Sequence, residues 1–221
     1  MVRALVASGY ELVALNPLAV DRYRDRHRVS GAKSDPGDAR VLADMVRTDR
    51  HLHRRVAGDS EDAEGIKLLA RAHQNAIWSR RRLQNQLRST VREFYPGALE
   101  AFDDIGGRDA VAVLEIAPTP SIGRTLSKSK IASTLRRAGR KLHVEARTET
   151  IYAALRTDQL AQPSGVESAY GIVVESLTQL IAVHSREIGH LEEMLATHFP
   201  KHPDAEPYLS QPGMGIVTAA R

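Results

Sequence analysis

Two aspartates three residues apart, Asp35 and Asp38, are the strongest candidates for chemistry in this sequence. They open the apolar-periodic stretch Asp35-Pro36-Gly37-Asp38-Ala39-Arg40-Val41-Leu42, which places both carboxylates on neighbouring positions of one helix face. Two hard oxygen donors in that arrangement suit a divalent cation such as magnesium. The same spacing also suits an ordinary helix start. Asp35 would be the N-cap, Pro36 would take N1, and Asp38 at N3 would meet the positive end of the helix dipole, a package worth about 1 kcal/mol. On the residues alone, the cap is the favoured reading. Lys33 has the reach to contact a phosphate beside such a metal, and equally to stand solvated.

The second kind of chemistry is electrostatic. Lys67, Arg71, Arg80, Arg81, Arg82, Arg88 and Arg92 form a run without an intervening acid, and Arg124, Lys128, Lys130, Arg136, Arg137, Arg140 and Lys141 form another. A merely solvated helix mixes signs for i, i+4 pairing, so these runs predict contact with a nucleic-acid backbone, driven by phosphate neutralisation and counterion release. A formal charge of +4 and a pI near 9.5 agree with a polyanionic partner. Aromatic content is only 5% with Trp78 the sole tryptophan, which leaves few platforms for stacking single-stranded bases.

Other chemistries are narrowed or excluded. The absence of cysteine removes disulfides, thiolate nucleophiles and cysteine-bound metals, so any metal must sit on carboxylates or histidines. His198 and His202 have zinc-like spacing, but Pro200 breaks the helix that would align them. His184 reads as a packed or snorkelling histidine rather than a ligand. Gly213-x-Gly215 reads as a tight turn, with a phosphate-binding hairpin as the alternative. There is no Ser-His-Asp arrangement and no glycine-rich nucleotide loop. No apolar run approaches a membrane span, so a cytoplasmic protein without a membrane partner is expected.

The elements that must position these residues are mostly helices. A helix over Val2 to Ser8 closed by Gly9, a buried strand over Glu11 to Leu15 and a helix from Leu18 towards His27 precede the Asp35 helix. That single strand lacks the rest of a sheet. A long helix is predicted from Asp59 to Pro96-Gly97, with an acidic first turn and a seam through Ile66, Leu69, Ala76, Leu83, Leu87, Val91 and Phe94. A second covers Val166 to His198, with Leu177, Ile181, His184, Ile188, Leu191 and Leu195 on its seam, and the two are expected to pair antiparallel. Shorter helices are predicted over Asp109 to Ile116 and Ile131 to Arg137. The tail from Pro203 is a loop leading into a new element.

Three separate segments carry a family resemblance. Val13-Ala14-Leu15-Asn16-Pro17 followed by Ala32-Lys33-Ser34-Asp35-Pro36-Gly37-Asp38-Ala39 resembles the end of the ribonuclease-H-like (RuvC-like) domain of insertion-sequence 110 transposases. The stretch Leu68 to His73, continued through Arg82-Leu83-Gln84-Asn85-Gln86-Leu87-Arg88 to Tyr95-Pro96, resembles that family's coiled-coil entry. Leu209-Ser210-Gln211-Pro212-Gly213-Met214-Gly215-Ile216 resembles the opening of its C-terminal transposase domain.

The resemblance implies DNA recombination, magnesium, a structured non-coding RNA as guide, and action as a homo-oligomer. It turns the preference for Asp35 and Asp38 towards catalytic metal ligands of an Asp-Glu-Asp-Asp set. The first aspartate, the glutamate and the serine nucleophile have no counterpart here, so an inactive fragment is expected. The expected fold is mainly α, with long antiparallel coiled-coil helices following the remnant of an α/β ribonuclease-H-like domain. Its divisions fall at 1–57, 58–202 and 203–221. Nucleic-acid contacts are expected at Lys33, Arg71, Arg80, Arg81, Arg82, Arg88, Arg136 and Arg137. The alternatives are a self-sufficient helical nucleic-acid-binding protein and a coiled-coil dimerisation module.

Overall fold

A computed structural model describes residues 2–27, 34–56 and 60–221, and these divide into two compact units, residues 1–61 and 62–221. In the first, α1 (Val2–Ala7) leads through Gly9, at φ +80°, into β1 (Val13–Ala14). Next come α2 (Pro17–His27), whose first turn is held by the Asn16 side chain accepting from the Leu18 N–H at 2.9 Å, and α3 (Asp35–Asp49). The expected lone strand has a partner: β2 (Arg54–Arg55) pairs with it antiparallel, Val13 opposite Arg55 and Ala14 opposite Arg54. Two adjacent arginines carry no alternation of apolar and polar residues, so nothing in their pattern announces a strand. Glu11 secures the ribbon by ion-pairing with Arg50 and, at 2.6 Å, with Arg55.

The N-cap of α3 lies one residue earlier than the spacing suggests. Ser34 is the cap, its hydroxyl accepting from the Gly37 N–H at 3.3 Å, while Asp35 sits inside the first turn. Serine caps as well as aspartate and its β-region backbone (φ −148°, ψ 142°) suits the position. Among the described residues of this unit, Val41 and Met45 are its buried hydrophobic side chains.

The second unit is built on two long helices, α4 (Glu61–Phe94) and α10 (Ser164–His198). Both arise from the predicted seams; the start expected at Asp59 lies outside the described residues. They run antiparallel: Ile66 and Ala70 cluster with Leu195, Ala76 with Ile188 and Leu191, Leu87 and Val91 with Leu177 and Ile181, and Phe94 stacks on Tyr170 with ring centroids 4.6 Å apart. By length and composition alone α10 could cross a membrane, contrary to the expectation from sequence. Its Val174, Leu177, Ile181 and Leu195 are buried inside this unit, while 28% of its most apolar stretch is buried overall.

Between the long helices lies a compact insertion: α5 (Pro96–Ala101), α6 (Arg108–Ile116), α7 (Pro120–Thr125), α8 (Lys128–Arg137) and α9 (Val144–Ala154). Its apolar side chains, among them Phe102, Ile105, Leu114, Ile131, Leu135 and Ile151, join Leu87, Val91 and Leu177 in the main core. After α10, the short α11 (Ala205–Leu209) and α12 (Ile216–Ala219) fold back so that Ala205 and Ala220 cover Ile66, Ala70 and Phe199. The Gly213-x-Gly215 segment is the turn between them, with Gly213 at φ +79°.

Candidate nucleic-acid interface and carboxylate pair

The carboxylate pair stands on the first turn of α3. Asp35 is exposed and Asp38 half-buried. Arg24, projecting from α2, reaches between two acids: its Nη1 lies 2.9 Å from Asp21 Oδ1 and its Nη2 3.1 Å from Asp38 Oδ1. The contact with Asp38 has ion-pair distance without hydrogen-bond alignment, since Asp38 Oδ1 and Arg24 Nε are both buried without a hydrogen-bond partner. Most of the Arg24 side chain is covered, so this pair is screened less than an exposed one.

A divalent cation needs more than this pair. Magnesium requires near-octahedral oxygen coordination, and among the described residues no group of three or more acids or histidines converges on one point. One of the two carboxylates already has a guanidinium as its counter-ion. The residues present therefore do not by themselves fit a metal. Lys33 lies outside the described residues.

The cations of the second unit behave differently in the two runs. On α4, Glu64 and Glu93 bracket 28 residues that contain seven cations and no acid. The buried stripe through Ile66, Ala70, His73, Ala76, Leu87 and Val91 fixes the helix rotation, and it turns Arg71, Arg81, Arg82 and Arg92 outwards. Arg82 donates to Ser79 Oγ at 3.1 Å and Arg88 to the Asp103 carbonyl at 2.7 Å, so these two keep their full charge. Lys67 has Glu64 at 3.6 Å. Arg80 points elsewhere, into a groove it shares with Gln84, Arg108, Glu115 and Arg186.

The second run is free of acids in sequence but not in space. Lys128 lies 2.6 Å from Glu149, Arg136 2.7 Å from Glu145, Arg140 2.6 Å from Asp109 and Arg124 3.9 Å from Asp158. The acids come from α6, α9 and the segment after α9, which a linear reading cannot bring alongside α8. Arg137, by contrast, donates to the neutral Thr134 hydroxyl at 3.4 Å.

Sequence reasoning also passed over a buried polar contact beside the α4 face. His73 is 1% exposed, with Nε2 3.0 Å from Glu192 Oε1 and Nδ1 3.0 Å from Arg221 Nη2. A guanidinium can only donate, so Nδ1 accepts from Arg221 and the ring proton sits on Nε2, facing Glu192. The signal available was a polar residue falling on the apolar stripe of α4.

Comparison with known proteins bears on the whole chain. Residues 1–96 match the family model of the DEDD-type insertion-sequence 110 transposases, described as "Transposase". Over 225 aligned residues the chain is 40% identical to the "Mini-circle putative transposase for IS117" of Streptomyces coelicolor, covering 100% of this chain and 54% of that protein. It is 31% identical over 137 residues to the "Putative transposase y4uE" of Sinorhizobium fredii, covering 62% of this chain and 38% of that protein. It is 27% identical over 222 residues to the "Insertion element IS900 uncharacterized 42 kDa protein" of Mycobacterium paratuberculosis, covering 100% and 54%. The chain thus spans about half the length of the curated relatives it matches end to end. No solved structure matches it. Family model and relatives agree, and the chain belongs to the insertion-sequence 110 transposase family.

Proposed function

We propose that this chain serves DNA transposition and recombination as a nucleic-acid-gripping part of an insertion-sequence 110 type transposase, and that by itself it is catalytically inactive. The observation that carries the binding half is the outward, acid-free face of α4. Phosphates neutralise such a face without needing a defined base sequence, and they release counterions in doing so. DNA is the expected partner, with a structured RNA as a second one. Arg71, Arg81, Arg82 and Arg88 on α4 carry the binding, joined by Arg137; Arg136 contributes less because Glu145 already neutralises it. The test is a mobility-shift titration at low and raised salt. Binding that weakens steeply with salt, and weakens further in an Arg71→Gln/Arg81→Gln/Arg82→Gln variant for every sequence tried, supports the reading. No binding at low salt overturns it.

For the catalytic half, Asp35 and Asp38 act in a full-length protein as two carboxylates of a magnesium site, completed by acids from outside this chain. Two-metal phosphoryl transfer needs enough ligands to fix both ions, which two aspartates cannot supply.

A second reading, self-association, has its own observation. The seam residues Leu87, Leu177, Ile181 and Leu195 are consumed inside the unit, but another face of α10 exposes Val166, Ile172, Val173, Leu180 and Val183. A homo-oligomer would cover that face. Light scattering across micromolar concentrations tests it: a constant monomer mass rules it out.

A further inference from the structure

The outward face of α4 holds one side chain that electrostatics does not account for. Trp78 is 57% exposed, the sole tryptophan of the chain, and sits midway along the acid-free stretch. Its neighbours at helical spacing are Gln74 one turn before and Arg81 and Arg82 one turn after, with Arg71 two turns before; side chains three or four residues apart on a helix are about 5–6 Å apart at Cβ. The Arg82 guanidinium is tied back to Ser79 on the same turn, 3.1 Å away. No aromatic or cationic side chain among the described residues packs on the indole face.

We propose that Trp78 is a stacking platform for an unpaired nucleobase, and that Arg71, Arg81 and Arg82 hold the flanking phosphates of the same strand. This rests on the nucleic-acid reading of α4 given above and names the form of nucleic acid it takes. An apolar protein surface laid on Trp78 would have to bring acids to meet the surrounding guanidinium groups, or bury them unpaired at high cost. A single strand brings both complements at once, a flat apolar face for the indole and an anion on either side for the cations. A base inside an intact duplex has no free face to offer, so the platform selects unpaired segments.

The indole is also its own reporter, because excitation at the red edge, where the six tyrosines do not absorb, leaves Trp78 as the one emitter. In the 221-residue chain at low salt, a twelve-nucleotide oligodeoxythymidylate or oligouridylate should quench that emission, whereas a blunt duplex of equal charge should bind with little quenching. Trp78→Ala should weaken single-strand binding, followed by anisotropy of a labelled oligonucleotide, about tenfold, a size typical of losing one stacked base. It should change duplex binding less than twofold, and Trp78→Phe should restore most of the loss. Circular dichroism verifies that both variants keep the helical fold, since the side chain is on the surface. Equal loss for single strand and duplex, or no loss with Trp78→Ala while Arg71→Gln/Arg81→Gln/Arg82→Gln still weakens binding, overturns the stacking proposal and leaves the nucleic-acid reading standing. Failure of every oligonucleotide to bind removes both. Emission that changes with protein concentration alone, and not with either oligonucleotide, assigns the indole to a contact between copies and overturns the proposal.

Discussion

The Tyr95 hydroxyl lies directly over Gly123, so near that a Cβ on that residue would fall well inside van der Waals contact with Tyr95 Oη and within 3.0 Å of Tyr95 Cζ. Tyr95 is completely buried and its hydroxyl has no hydrogen-bond partner, so burial, reinforced by the charge of Glu167, drives its ionisation far above the ordinary value. Gly123→Ala should therefore destabilise the chain by about 1–3 kcal/mol through overpacking. Tyr95→Phe removes an unpaired polar atom and should cost less than about 1 kcal/mol. In the double variant, the loss from Gly123→Ala should shrink, because the hydroxyl that caused the collision is gone. Urea midpoints for the four species give the coupling; strictly additive losses would contradict this packing.

Glu167 at the start of α10 gives a pH signature. Partial burial pushes its carboxyl up, but hydrogen bonds from Ser121, including the Ser121 N–H at 2.9 Å, and from Thr119 outweigh this and hold it below the ordinary 4.5. A carboxyl lowered in the fold stabilises it above the unfolded value, and that contribution disappears as pH falls through the lower, folded value. The Ser121 amide resonance should titrate with a midpoint below 4.5 and lose that transition in Glu167→Gln. A midpoint above 4.5 would show that burial dominates.

His73 ties α4 to Glu192 on α10 and to Arg221. His73→Leu keeps most of the volume but loses both polar contacts, and should lower stability by about 1–2 kcal/mol in urea unfolding. An unchanged midpoint would mean that the contacts contribute nothing net.

The first unit has a thin core. Burying one aliphatic side chain yields about 1.5–3 kcal/mol, and Val41 and Met45 are the buried hydrophobic residues described there. Its amides should exchange with deuterium at least a hundredfold faster than those of α4 and α10 near Leu87 and Ile181. Comparable protection in both units would contradict this.

The cap assignment sharpens the test of the two aspartates. Because Ser34 caps α3, Ser34→Ala should cost the helix about 1 kcal/mol, while Asp35→Asn should leave stability nearly untouched. In a full-length protein of the family, Asp35→Asn and Asp38→Asn should each abolish magnesium-dependent recombination. Recombination at normal rates in both would reduce these residues to local structure.

What the sequence disclosed follows from where its signals lie. The long helices α4 and α10 were legible because their seams recur turn after turn, from Ile66 to Phe94 and from Leu177 to Leu195, and the cation run on α4 was legible because it is contiguous. In α5 and α7, six residues each, there is too little length for periodicity to speak. The neutralisation of Lys128 and Arg136 by Glu149 and Glu145 was invisible because the pairing depends on α9 lying against α8. The cap of α3 was misplaced by one residue because Ser34 and Asp35 are both competent caps and only backbone geometry chooses between them.

The acid-free face of α4 also makes its unit a strongly polarised object. Residues 62–221 carry 20 cations and 18 acids, and seven of those cations lie in the bracketed stretch of α4, which leaves 13 cations against 18 acids on everything else. A net charge near neutrality thus conceals a positive rod mounted on an acidic body. In the field of a polyanion such a body feels a torque before it touches, turning α4 forwards and the remainder away. Encounter is then oriented rather than random, and added salt should slow arrival more than it hastens departure.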